Sequence, residues 1–310
     1  MLKEIRWYLE TVLFLSVSRS IAWLPAGLVQ PAGKWLGRLL FLLLKRRRLI
    51  AIKNISDSFP YLERQPGWVR REPAELARET FENLGRSVVE DCKVYNGKGQ
   101  YIIDAVEFRG LEHFEQAKAR GRGIAFITGH CGNWELMALS FGARFQTMTS
   151  VAKRQGNPRL NDVLEKMRSG HGNSLVYRNG ALRSLYAILR KNGIVGVHID
   201  QASSPSDGEL VDFLGRPAWT TNMMARMARR NGVPMLPVFI HREGARQVVQ
   251  IHPEIALGAE DGAEAQDTAL MTDCIAAYVV EHPTEWYWIH RRWKRAPQPD
   301  AASAPAVDPK

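Results

Sequence analysis

From Asn54 onward, short apolar runs alternate with amphipathic stretches of helical period, and this alternation restricts the fold more than any other feature. Gly123–Thr128, Ile194–Ile199 and Met235–Ile240 are continuous and apolar, as strands buried on both faces are. Leu160, Val163, Leu164 and Met167 recur at helical spacing and stop at Gly170-His171-Gly172. Ala181, Leu182, Leu185, Ile188 and Leu189 form a second such stripe, ending at Asn192-Gly193 in the manner of a left-handed C-cap. A third helix, from about Thr221 to Arg230, stops at Asn231-Gly232. Strands separated by helices of about 10–15 residues imply βα units, hence an α/β fold with a mainly parallel central sheet flanked by helices.

Composition narrows the function classes. With 45% hydrophobic and 24% charged residues in a chain of 310, a largely disordered protein is excluded, and core size is no obstacle. No uninterrupted apolar run reaches the roughly 18 residues of a membrane span, which excludes a polytopic bundle. Cys92, Cys131 and Cys274 are odd in number and widely spaced, so they form neither a disulfide framework nor a zinc pattern and fit a reducing compartment. The net charge of +10 is localised: residues 1–54 hold ten Lys and Arg against two Glu, leaving 32 basic and 30 acidic side chains elsewhere. Nucleic-acid binding, the usual reading of such a charge, fails because the excess lies in an apolar segment.

That segment reads as a membrane anchor. Trp7–Val29 is apolar apart from Glu10, Arg19 and a few small polar residues, and a second run, Leu36–Leu44, ends at Lys45-Arg46-Arg47-Arg48. Glu10 and Arg19 make the first run a poor span; an interfacial helix or an imperfect single span both accommodate them. Basic residues beside anionic lipid contribute on the order of 1 kcal/mol each, so the Lys45–Arg48 cluster is expected on the cytoplasmic side. A buried amphipathic helix followed by a solvated basic loop is the alternative. The expected partition is an anchoring segment over residues 1–50, a catalytic domain over 51–296 and a flexible tail over 297–310.

The chemistry centres on Gly129-His130-Cys131-Gly132-Asn133-Trp134-Glu135, which follows the first strand and therefore emerges on the edge where α/β sheets bind ligands. On one continuous helix His130 and Glu135 would point about 140° apart. Gly132 breaks the turn, however, and Asn133 is a natural N-cap, so His130 sits in a loop with Glu135 in the first helical turn. Glu135 is then expected to accept from one imidazole nitrogen, leaving the other to take a proton from a hydroxyl. A structural histidine with a capping glutamate is the bland reading of the same residues. Cys131 reads as a small buried thiol, a metal site lacks a third ligand unless His171, His198 or His290 contributes from a distance, and a serine hydrolase lacks its Gly-x-Ser-x-Gly elbow.

The block His130-Cys131-Gly132-Asn133-Trp134-Glu135 resembles the signature of the late acyltransferases of lipid A biosynthesis, the lauroyl/myristoyl transferase branch of the glycerolipid acyltransferase group. The run Pro283-Thr284-Glu285-Trp286-Tyr287-Trp288-Ile289-His290-Arg291-Arg292-Trp293-Lys294 is similar to the family's closing motif, and the likeness extends over about residues 1–296. Related mannoside acyltransferases share the His-Gly-Asn-Trp core but end it in Asp, so Glu135 favours the lipid A branch.

The resemblance implies transfer of a fatty acyl chain from acyl carrier protein to a hydroxyl of a lipid A precursor at the cytoplasmic face of the inner membrane, with no cofactor. It implies His130 as general base and Glu135 as its orienter, and it carries over Arg168 and Asp200 as substrate contacts. Arg168 follows Leu164 by one helical turn, beside an apolar stripe, and Asp200 sits at the carboxyl end of its strand on the same edge as His130. Asn133, Lys153 and Arg154 complete the candidate substrate-binding set, the basic pair facing substrate phosphates or the acidic carrier. Two readings compete: the same mechanism on a lysophospholipid or glycolipid mannoside, and a catalytically inactive, membrane-tethered lipid-binding protein.

Overall fold

The computed structural model describes residues 2–178, 180–258 and 263–297. Four helices lead the chain: α1 (Leu2–Ala22), α2 (Val29–Leu43), α3 (Lys45–Leu62) and α4 (Pro73–Tyr95). There follow α5 (Gln100–Asp104), β1 (Glu107–Arg109), α6 (Leu111–Ala119), β2 (Ile124–Thr128), α7 (Trp134–Arg144), β3 (Met148–Ala152) and α8 (Pro158–Arg168). The chain continues through β4 (Ser174–Tyr177), α9 (Ala181–Leu189), β5 (Ile194–His198), β6 (Gly208–Phe213) and β7 (Arg216–Thr221). It closes with α10 (Met223–Asn231), β8 (Met235–Glu243), β9 (Arg246–Ile251) and α11 (Glu264–Glu281).

Seven strands form one sheet in the order β1-β9-β8-β2-β5-β3-β4, and every neighbouring pair is parallel except the β8–β9 hairpin. The expected α/β fold with a mainly parallel sheet is therefore present, and the three apolar runs are its central strands β2, β5 and β8. All five residues of β2 are buried because both faces are covered. One face packs a cluster including Ile55, Phe81, Leu185, Met224 and Ile275; the other packs Phe114, Phe126 and Phe141, whose rings meet edge to face. The helix expected from Thr221 begins at Met223, because Arg216–Thr221 pairs antiparallel with β6 as a separate hairpin.

Register positions the chemistry. Thr128 of β2 pairs with His198 of β5, so the residues two beyond each strand end, His130 and Asp200, leave the sheet at the same level.

Among the described residues no single helix is long and apolar enough to cross a membrane; α1 and the helical stretch 26–43 pass that test only as a pair bent by 115°. Both helices are docked on α4. Gly33 and Gly37 of α2 face Gly85 of α4, and a Cβ on Gly37 would stand 2.1 Å from the Phe81 carbonyl oxygen, so only glycine allows this approach. Polar ties reinforce the contact: Lys93 donates to the Ala22 and Leu24 carbonyls at the end of α1, and Glu82 meets Arg38 and Lys34. Exposed apolar side chains stand among the outward charges of this pair: Leu9, Leu13 and Val17 of α1, Trp23 just beyond it, and Trp35 and Leu42 of α2. Apart from Pro297, the expected tail over 297–310 lies outside the described residues.

Candidate active site

The loop between β2 and α7 is fixed at both ends. Gly132 adopts φ +52°, and a Cβ there would meet the Ile240 carbonyl oxygen at 2.2 Å, so both backbone conformation and space require glycine. Asn133 caps α7 as expected, its Oδ1 accepting from Leu136 N at 3.0 Å. Its amide nitrogen donates to Glu90, a buried carboxylate that also receives Gln30, Arg242 and Gln247. Asn133 is thus buried with both polar ends committed inside the protein. These bonds pin the helix start to α4, and Asn133, expected as a substrate contact, also lines an apolar cavity beside that helix.

Beyond the end of β2, His130 meets Asp200 at two points. The imidazole Nδ1 lies 2.8 Å from Asp200 Oδ1, and the His130 backbone N–H donates to Oδ2 at 2.8 Å. The Trp286 indole N–H reaches the same Oδ2 at 2.9 Å. Burial alone would raise the Asp200 carboxyl, but the facing imidazole and the hydrogen bonds from His130 outweigh that cost and hold the group well below the ordinary carboxylate range. An ionised Asp200 accepts from Nδ1–H, which leaves a lone pair on Nε2 directed to the cleft, where the Gln201 amide stands 3.2 Å away. The His130 side chain is 20% exposed and that of Asp200 only 2%. A partly open imidazole backed by a buried carboxylate is the arrangement of a general base and its orienter.

Glu135 does not serve as that orienter. Its carboxylate receives Arg168 Nε at 2.9 Å on both oxygens, with Nη2 adding a further contact. The physical reason is that α7 begins at Trp134, which turns Glu135 toward α8, whereas β5 delivers a carboxylate beside His130 from the adjacent strand. Asp200, expected as a substrate contact, is instead the carboxylate that faces His130, and Arg168 reaches Glu135.

Two cavities meet at this ion pair. A cleft of about 370 Å³ contains His130, Lys153, Arg178, His198 and Gln201. An apolar cavity of about 220 Å³ is lined by Phe14, Leu84, Val88, Cys92, Leu164 and Met167. Trp134, Glu135 and Arg168 border both. A larger cavity, about 590 Å³ between β8, β9 and α11, includes none of these residues.

Residues 2–295 match the family model for bacterial lipid A biosynthesis acyltransferases. The chain belongs to that family. It is 26% identical over 296 residues to the lipid A biosynthesis lauroyltransferase of Escherichia coli (strain K12), covering 94% of this chain and 93% of the relative. It is 25% identical over 288 residues to that organism's palmitoleoyltransferase, covering 89% and 90% of the two chains. A phosphatidylinositol mannoside acyltransferase of Mycobacterium tuberculosis (strain ATCC 25618 / H37Rv) is 28% identical over 219 residues, covering 69% and 68%.

In this member of the lipid A acyltransferase family, Lys153 lines the cleft, whereas Arg154 lies over the Tyr177 ring, 4.4 Å from its centroid. Cys131 is a packed thiol: burial, then the charge of Asp200, pushes it well above its ordinary value. Sequence reasoning did not place three residues around the His130–Asp200 pair, naming His198 only as a distant candidate for a metal. His198 lies 4.5 Å from His130 between ring centroids, and burial, reinforced by His130, pushes it down to about 3, which keeps it neutral. Gln201 and Trp286 are the others. The only advance signal for Trp286 was its place in the aromatic closing run. Here residues 285–287 pair with 130–132: Gly132 N donates to Glu285 O at 2.7 Å and Tyr287 N to His130 O at 3.0 Å. Among the described residues no group of three or more His, Cys, Asp or Glu could hold a metal ion.

Proposed function

We propose that this acyltransferase-family protein moves a fatty acyl chain from an acyl carrier protein thioester to a hydroxyl of a lipid A precursor, working at the cytoplasmic surface of the inner membrane. The observation that carries the reading is the position of the His130–Asp200 pair. It opens into a cleft with basic residues on its wall, and that cleft shares the Glu135–Arg168 ion pair with an apolar cavity.

In this mechanism His130 Nε2 takes the proton of the acceptor hydroxyl as the oxygen attacks the thioester carbonyl. Asp200 stabilises the imidazolium that forms. The tetrahedral intermediate collapses, the C–S bond breaks, and the proton returns to the departing thiolate. General-base assistance of this kind is worth roughly 10²–10⁴-fold. Lys153 and Arg178 are placed to meet phosphate on the acceptor or the carrier, and the apolar cavity has the lining an alkyl chain requires. The exposed apolar side chains of α1 and α2, with Lys45–Arg48 at the start of α3, support a helical pair lying in the lipid interface, not crossing it.

Mass spectrometry of a phosphorylated tetraacyl disaccharide incubated with acyl carrier protein thioesters and membranes containing the protein tests the proposal. A mass gain of one acyl chain, lost in His130→Ala, is expected. No gain with any donor, but transfer to a lysophospholipid or a mannosylated glycolipid, would replace the acceptor and keep the chemistry.

A further inference from the structure

We propose that Trp286 is a positioning residue for the acyl transfer, its indole N–H holding Asp200 in the orientation in which that carboxylate supports His130. The inference rests on the reading of His130 as the base and extends it to a residue far along the chain from both partners.

A buried indole N–H needs an acceptor, and a backbone carbonyl usually serves. Trp288, two residues further on, follows that pattern by donating to the Pro283 carbonyl at 2.7 Å. The buried indole nitrogens of Trp68 and Trp293 find no partner among the described residues. Trp286, 1% exposed, instead donates to the carboxylate that faces the base. Its contact completes a three-point hold: Oδ1 faces His130 Nδ1, while Oδ2 accepts both the His130 backbone N–H and the Trp286 indole. Donors from two chain segments fix the carboxylate plane, which one hydrogen bond would leave free to rotate.

The indole is itself immobilised. Cys131 and Trp286 form an antiparallel bridge, flanked by the Gly132–Glu285 and Tyr287–His130 backbone bonds. The ring packs against Phe213 at 5.2 Å and Trp288 at 4.7 Å between centroids. The loop carrying His130 and the ring holding Asp200 therefore move as one body.

The direction of the effect follows from charge. Without the indole donor, Asp200 is less stabilised as an anion and becomes a stronger acceptor, so it favours imidazolium over neutral imidazole. A base that protonates more readily works only at higher pH, and the acid limb of the rate profile moves up. The other titratable and charged groups acting on this carboxylate are His198 at the end of β5, Cys131 in the loop, and His290 and Arg292 on the closing segment, with Glu285 beside Trp286. All of them remain in place when only the indole N–H is removed.

The test compares kcat and KM across pH for the full-length wild type, Trp286→Phe, and a protein carrying 3-benzothienylalanine at position 286, in which sulfur replaces N–H at nearly constant shape. Loss of the hold on the carboxylate plane should outweigh the gain in basicity and lower kcat by about 10–100-fold, the fold-change equivalent of a hydrogen bond to a charged group. KM should stay within about twofold and the acid limb should rise, alongside the modest fall in melting temperature that an unpaired buried carboxylate oxygen brings. An isostere with wild-type kcat and an unmoved acid limb overturns the proposal. So does a fall in kcat accompanied by a lower melting temperature and no movement of the limb, which would make Trp286 a packing residue. His130→Ala run alongside keeps the two readings separable, since full activity there removes the base itself, whatever Trp286 does.

Discussion

Asp200 grips His130 by both its side chain and its main chain, one carboxylate oxygen at 2.8 Å from Nδ1 and the other at 2.8 Å from the backbone nitrogen. The second bond fixes the loop as well as the ring, so the imidazole cannot drift from the carboxylate without disturbing the start of the motif.

Asp200→Asn should therefore lower kcat by about 10²–10⁴-fold, because an amide neither stabilises imidazolium nor fixes the Nδ1–H tautomer. KM should change little. Combined with His130→Ala it should add almost nothing, since the two residues act as a unit. Steady-state kinetics of both single variants and the double variant check this; additive losses would separate their roles.

The Glu135–Arg168 pair should show energetic coupling. Glu135→Gln and Arg168→Met are each expected to lower the melting temperature, and the double-mutant cycle should return about 0.5–3 kcal/mol, the range for contacting residues. Both side chains are partly exposed, 24% and 30%, so the lower half of that range is the expectation. Chemical denaturation of the four proteins measures it, and zero coupling would exclude a structural pair.

Val88 lines the apolar cavity that reaches the Glu135–Arg168 pair. Val88→Phe should shift donor preference toward shorter acyl chains while sparing turnover of the shortest. Competition among acyl carrier protein thioesters of different length reads this directly, and an unchanged preference would place the chain elsewhere.

Stability should fall on the acid side. Burial lowers His198 to about 3, and burial with neighbouring charges lowers His282 and His290 to about 4 each. A histidine with a depressed folded pKa contributes fully above its unfolded value near 6.5. It loses that contribution as pH falls toward the folded value, because the unfolded chain binds the proton first. The three histidines should lower the melting temperature between about pH 6.5 and 4, offset in part by the buried carboxyls of Glu285, raised to about 7, and Asp91, which gain stability as pH falls; in Glu285→Gln, where much of that offset is gone, a constant value over the window would contradict the neutral histidines.

Membrane attachment should depend on the exposed faces of the leading helices. Replacing Leu13 and Val17 by Asp, or Lys45–Arg48 by Glu, should each reduce co-sedimentation with anionic vesicles, and only the second change should be mimicked by high salt. Undiminished binding by both variants would move the lipid contact to another surface.

The central strands were legible in the sequence because a strand buried on both faces is apolar throughout, and β2, β5 and β8 are such strands. The Asn133 cap and the glycine stops were legible for the same local reason: a turn or cap must be built from particular residues. The partner of His130 was not. Six consecutive residues offered Glu135 as the nearest carboxylate, while the actual partner depends on the pairing of Thr128 with His198, a tertiary fact. The attachment of the leading helices was equally hidden, since the Gln30–Glu90 and Lys93–Ala22 contacts join residues far apart in sequence. An apolar start followed by a basic run described the surface of that segment and said nothing of its docked face.

The antiparallel contact between residues 130–132 and 285–287 also bears on how the protein is made. A ribosome delivers the central strands and His130 well before it delivers Trp286. The closing segment then has to thread back against the catalytic loop, and it is tied down by Asn54, which donates to the Trp288 and His290 carbonyls at 2.7 and 2.8 Å. The surroundings of His130 and Asp200 are therefore completed only after all the strands have been made, and a chain cut short before Pro283 would carry every strand and His130 in its sequence but not the indole that reaches Asp200.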